Sequence, residues 1–78
     1  MNDWISTKNK LPETNNKIDN YTYCSDEVLI CLNCNKVVIG RFYKLDYPNL
    51  TYWISTHEYK YSKDSVTHWM NIILPKNK

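Results

Sequence analysis

Glycine is almost absent from this chain: Gly40 is the only one in 78 residues. A glycine-rich phosphate loop is therefore excluded, and neither an HExxH metal helix nor a GxSxG nucleophile turn occurs. Long hydrophobic runs are missing too. No stretch approaches the ~20 apolar residues that a bilayer-crossing helix requires. Charge of one sign is weak: ten Lys and Arg against eight Asp and Glu leave a formal net charge of +2. The pI is ≈ 8.4, whereas dedicated nucleic-acid domains tend to lie above about 9 and to cluster their basic residues. Here the lysines are scattered from Lys8 to Lys78, so a nucleic-acid partner is not signalled, although sequence-independent phosphate contact stays open. The cysteines are few and odd in number. Cys24, Cys31 and Cys34 cannot all pair within one molecule. Met1-Asn2-Asp3-Trp4 has neither the basic region nor the apolar run of a secretory signal. The expected setting is the cytoplasm, with reduced thiols and no membrane partner.

What is abundant is aromatic surface: seven Tyr, three Trp and one Phe make up 14% of the chain. A chain of this length has room for one domain over residues 1–78, and it buries only about 60% of the surface its unfolded form exposes. The rings must either dominate a small core or lie exposed.

Helical periodicity is nowhere sustained for the ~10 residues a helix assignment needs. Trp4 to Pro12 reads as an anchor: Ser6 or Thr7 would cap one helical turn that Pro12 helps to end, with Trp4, Ile5 and Leu11 pinning it to the rest. Glu13 to Ser25 is polar and reads as a mobile loop. Glu27–Leu32 and Lys36–Lys44 are β-rich runs joined by Asn33-Cys34-Asn35, which predicts a hairpin. On the first strand Val28, Ile30 and Leu32 would take one face and Leu29 and Cys31 the other, so both faces are expected to be partly covered; on the second, Val38, Gly40 and Phe42 alternate with Val37, Ile39, Arg41 and Tyr43.

Asp46-Tyr47-Pro48-Asn49 has turn composition, and Leu50–Ser55 alternates as a half-buried strand does. His57–Asp64 reads as a surface loop, and Val66–Ile73 as a last strand stopped by Leu74-Pro75 and a basic tail. The expected architecture is mostly β, α+β at most: an antiparallel sheet of three to four strands with a short N-terminal helical turn packed on it. Trp-Ile-Ser-Thr occurs at residues 4–7 and again at 53–56, but a four-residue word with different neighbours is not a repeat architecture.

Two stretches carry a family likeness. Trp4-Ile5-Ser6 with Leu11-Pro12 resembles the opening Trp-Ile-Ser-x-x-x-x-Leu-Pro of the proteins grouped as domain of unknown function 551. Val66-Thr67-His68-Trp69-Met70 with Leu74-Pro75 resembles their closing Val-Thr-His-Trp-Met-Pro-Leu-Pro, and Glu27–Ile30 with Val38–Tyr43 resembles their central hairpin. The resemblance implies a phage- or prophage-related protein and supplies no catalytic residues. The chain departs from the pattern in its longer polar segment 13–25 and in Asn71-Ile72-Ile73, where a proline usually follows the methionine.

Cys31-Leu32-Asn33-Cys34 is the most chemical-looking motif. Two thiolates at this spacing can hold zinc, with Cys24, His57 or His68 completing a tetrahedron, yet no second paired motif exists. A plain hairpin is the expected reading, with no metal and no cofactor. A redox role would need a helix N-terminus to depress a thiol pKa, where this motif reads as a hairpin tip. His68 is read as a structural group that hydrogen-bonds a backbone carbonyl and locks the last strand in place, in preference to a ligand contact or a general base. The eight carboxylates are dispersed, no acid–base pair is identified, and a non-enzymatic role is expected.

The tyrosines are the better lead. Tyr, Trp and Arg dominate interface hot spots because a rigid ring buries much area at little entropy cost. Tyr47, Tyr59, Tyr61 and Trp53, with Arg41 and Lys60, form the expected partner-binding set. The expectation is a small accessory protein that binds and inhibits a host protein, or a protein–nucleic acid complex, such as a defence nuclease. A homodimer through a sheet edge is a further expected mode. The alternatives are a sponge for a nucleotide signal, with rings on bases and Arg41, Lys44 or Lys60 on phosphates, and a nucleic-acid-binding module.

Overall fold

The structure, a computed structural model, describes residues 4–72. Eight strands form one antiparallel sheet among these residues: β1 (Ile5–Ser6), β2 (Asn16–Lys17), β3 (Thr22–Cys24), β4 (Val28–Leu32), β5 (Val37–Asp46), β6 (Asn49–Ser55), β7 (Lys60–Ser62) and β8 (Val66–Asn71). A single turn of 3-10 helix, Lys63–Ser65, connects the last two. The sheet is thus about twice as rich in strands as the three to four expected.

The ten-residue strand β5 organises everything else. One of its edges is taken by β6 from Gly40 to Asp46. The other is shared end to end by β4, against Val37–Gly40, and β3, against Tyr43–Leu45. Outward from there, β8 pairs with β4 and β1 with β8; β2 pairs with β3, and β7 with β6. The expected hairpin is β4–β5, and Asn35 at its tip takes φ 67, a left-handed conformation that Asn tolerates. The expected turn is Tyr47-Pro48, joined by a cis bond between the paired residues Asp46 and Asn49.

Three expectations are corrected. The N-terminal anchor is strand β1 followed by a turn in which Ser6 O accepts from Asn9 N–H (3.0 Å) and Lys10 N–H (3.1 Å); it is not a helical turn. Ile5 packs against the core and Pro12 is buried, but Trp4 and Leu11 stay exposed. The segment 13–25, read as a loop, contains β2 and β3, and the loop 57–64 contains β7 and the 3-10 turn. These strands are two or three residues long and polar, so pairing with a neighbour forms them and local pattern does not reveal them. The end of the last strand at Ile73 and its stop at Leu74-Pro75 lie outside the described residues.

Residues paired across strands share a face. Val28, Ile30 and Leu32 of β4 join Phe42, Trp53, Val66 and Trp69 in the core, with Ile5, Val38 and Tyr61 packed against them. Trp69 Nε1–H also donates to Lys10 O at 2.8 Å, tying the N-terminal segment across the core. The reverse face carries Leu29, Ile39, Tyr43 and Tyr52; Ile39 is exposed there, while Cys24 and Met70 on the same face are buried.

Between β3 and β4 the face changes. Cys24 lies opposite Tyr43 while Val28 lies opposite Gly40, so this stretch is one residue longer than the part of β5 it faces. Ser25 absorbs the surplus. Its N–H donates to Phe42 O (2.8 Å), its hydroxyl oxygen accepts from Phe42 N–H (2.9 Å), and its hydroxyl donates to Asp26 O (2.8 Å). Ser25 is 1% exposed, and its hydroxyl substitutes for a missing ladder partner.

Candidate binding surface

The hairpin β5–β6 is symmetric about Tyr47-Pro48, so Tyr43 and Tyr52 fall directly opposite each other. Their rings stack with centroids 5.4 Å apart and planes 6° from parallel. A row of paired residues runs through them across the outer face: Asn16, Cys24, Tyr43, Tyr52 and Ser62. The next row holds Arg41, Ile54 and Lys60, and Lys60 Nζ reaches back to 4.3 Å from the Tyr52 centroid. Because β5 and β7 flank β6 on opposite sides, one face of the Tyr52 ring meets Tyr43 and the other meets the ammonium. Such a contact favours the cation through the ring quadrupole.

Arg41 is half-buried, and its Nη1 donates to Ser25 O at 3.1 Å, which fixes the guanidinium against the β3–β4 irregularity. Burial lifts the Tyr43 phenol above its ordinary 10.0; negative charge on Cys24 and Tyr52 works the same way, and Arg41 works against it. A second pair sits at the hairpin tip. Tyr47, 78% exposed, lies 6.2 Å from Tyr21 at 45°. A third lies beyond β6, where Tyr59, 68% exposed, is 6.4 Å from Tyr61 at 41°.

Of the six residues expected to bind a partner, Tyr47, Tyr59 and Lys60 are exposed and Arg41 lies on the outer face. Trp53 is a correction. It lies opposite Phe42, 1% exposed, with ring centroids 4.8 Å apart, and belongs to the core. Tyr61 pairs with Trp53 and leans on that core, so it is only partly accessible. The Trp-Ile-Ser-Thr words diverge accordingly: Trp53 is buried and Trp4 is exposed. Tyr43, Tyr52 and Tyr21 belong to the surface but were not in the expected set. The signal for the first two was available, because both stand four residues from the Tyr47-Pro48 turn.

The C-x₂-C motif does not gather ligands. Cys31 lies half-buried on β4 and Cys34 is exposed in the turn, while Cys24 is buried on the Tyr43 row. Among the described residues no three His, Cys, Asp or Glu side chains form a group suited to a metal ion. His68 Nδ1 lies 3.0 Å from Thr67 Oγ1, and that hydroxyl donates to Cys31 O at 3.3 Å. Thr67 is also the extra residue of β8 where the β4–β8 register shifts. His68 thus braces this irregularity through a hydroxyl, not directly through a carbonyl.

No helix among the described residues is long and apolar enough to cross a membrane. No curated protein and no solved structure matches the chain. The model of one family, described as "Protein of unknown function (DUF551)", matches residues 3–76. The match takes in both terminal motifs and the hairpin between them, and the chain belongs to the DUF551 family.

Proposed function

We propose that this protein is a small binding domain that docks on another protein through the exposed tyrosines at the tip and edge of its sheet, Tyr47 and Tyr59, with the Tyr43–Tyr52 stack between them. The observation that carries the reading is the Tyr43–Tyr52 stack on the outer face, with Lys60 against Tyr52, together with Tyr47 exposed at the hairpin tip and Tyr59 exposed beyond the β6 edge. Rings fixed in this way lose little entropy on binding. The Tyr52 ring lies between Tyr43 and Lys60, so it offers its edge and hydroxyl to a partner. That favours a protein over the base of a nucleotide, which would need a free ring face.

The finer reading is a phage- or prophage-type accessory protein that blocks a host protein, such as a defence nuclease, by occupying its surface. It rests on the likeness of the terminal motifs to phage-associated proteins and on a domain that offers a rigid surface. The test is affinity capture with the native chain and with the Tyr47→Ala/Tyr59→Ala variant, in cells that carry such a nuclease. Both tyrosines are exposed, so the variant should fold as the native chain does. The native protein should retain the nuclease and reduce its activity, and the variant should lose both effects. Equal retention by the two proteins would refute this surface.

A further inference from the structure

On the core face, β1 and the turn that follows it stand on one side, and β6 with the 3-10 turn on the other. Between them opens a cleft of ≈ 490 Å³, within the range of roughly 300–1,000 Å³ typical of small-molecule sites. Its floor is apolar: Phe42, Trp53 and Val66, all core residues. Its mouth is charged, with Lys8 from one side and Lys63 with Asp64 from the other. It lies on the face of the sheet opposite the Tyr43–Tyr52 stack.

We infer that this cleft is a binding site for a small anion with a flat apolar body, an aromatic carboxylate or phosphate. The floor removes a ring from water, and two ammonium groups against one carboxylate leave a positive excess where the anionic group would sit. The walls are held in place before any ligand arrives. Thr7 N–H donates to Thr67 O (3.0 Å) and Thr7 Oγ1–H to Val66 O (3.2 Å), fixing the first wall to β8. Lys8 N–H donates to Ser6 Oγ (3.2 Å) within the closed turn. Opposite, Asn33 N–H donates to Ser65 O (2.8 Å), and the Ser62 and Ser65 hydroxyls lie 3.3 Å apart. Lys8 thus projects from a hydrogen-bonded backbone and Lys63 from a turn whose flanking Ser62 and Ser65 are tied in place, which lowers the ordering cost of binding. The space accepts one or two fused rings and excludes a folded partner, so the site is separate from the proposed docking face.

The test is amide NMR on the full chain titrated with indole-3-acetate and with phenyl phosphate, each beside its neutral counterpart, indole-3-acetamide or phenol. Saturable shifts are expected at Lys8, Thr51, Lys63 and Val66. At least one anion should bind about tenfold more tightly than its neutral counterpart, and which one does separates carboxylate from phosphate recognition. Lys8→Ala with Lys63→Ala should weaken that anion by about tenfold, while Lys36→Ala, on the distant hairpin tip, should leave it unchanged. All three lysines are exposed, so folding is not at stake. No saturable shift at about 5 mM of any probe, equal binding of the neutral compounds, or shifts centred on the tyrosine face would each overturn the inference.

Discussion

Gly40 on β5 lies directly opposite Ser55 on β6, and the two backbones pass so closely that no side chain fits between them. A methyl group on Gly40 would stand 2.8 Å from Ser55 Cα and 2.9 Å from Ile30 Cδ1, and would also run into the Ile54 carbonyl oxygen. Two of these obstacles are backbone, so relief would require β6 to move away from β5. The only glycine in the chain stands where β4, β5 and β6 all meet. Gly40→Ala should therefore destabilise the protein by about 3 kcal/mol, at the upper end for overpacking, read as a lowered urea midpoint. An unchanged midpoint would mean that the strands are not packed this closely.

Ser25 gives a second expectation. Its hydroxyl is the acceptor for the buried Phe42 N–H. Ser25→Ala leaves that donor without a partner at a cost of about 2 kcal/mol, whereas Ser25→Thr keeps the oxygen. Denaturation of the two variants side by side separates a lost hydrogen bond from a steric effect.

The tyrosine stack should be measurable as a coupling. A double-mutant cycle with Tyr43→Ala and Tyr52→Ala is expected to give an interaction energy of about 1 kcal/mol. Tyr52→Phe should preserve it, because stacking and the Lys60 contact use the ring and not the hydroxyl. A coupling near zero would mean that the two rings do not touch in solution.

The raised Tyr43 pKa has a definite sign in stability. The folded protein holds the phenol proton more tightly than the unfolded chain, whose tyrosines titrate near 10.0. The associated stabilisation is complete below that pH and is lost as pH rises through the folded value. Stability should thus decline in alkaline solution, and less steeply in Tyr43→Phe. Urea midpoints measured at about pH 9 and pH 11 check this. Identical declines in both proteins would assign the effect to other groups.

The strands that alternation revealed are those that carry the core. The hairpin β4–β5, the Tyr47-Pro48 turn, β6 and β8 are legible because each is long enough for its pattern to show. β1, β2, β3 and β7 are not, since two or three residues carry no period and become strands only beside a longer neighbour. The same limit explains Trp53. Its strand was evident, but alternation alone does not say which face of a sheet turns inward. Charged neighbours made Tyr59 and Lys60 recognisable as surface, and Arg41 was placed by its strand parity. The Tyr43–Tyr52 stack needed the hairpin register, which the turn at Tyr47-Pro48 supplies once the two residues are counted outward from it.

Phe42 and Tyr43 are consecutive on β5, and their side chains leave the backbone in opposite directions. Only one peptide thickness lies between the cleft floor and the tyrosine row. A molecule lodged beneath Phe42 and a protein resting on Tyr43 would press on the same short length of chain from its two sides. The two proposed sites therefore share one strand, and a substitution that displaces β5 would disturb both.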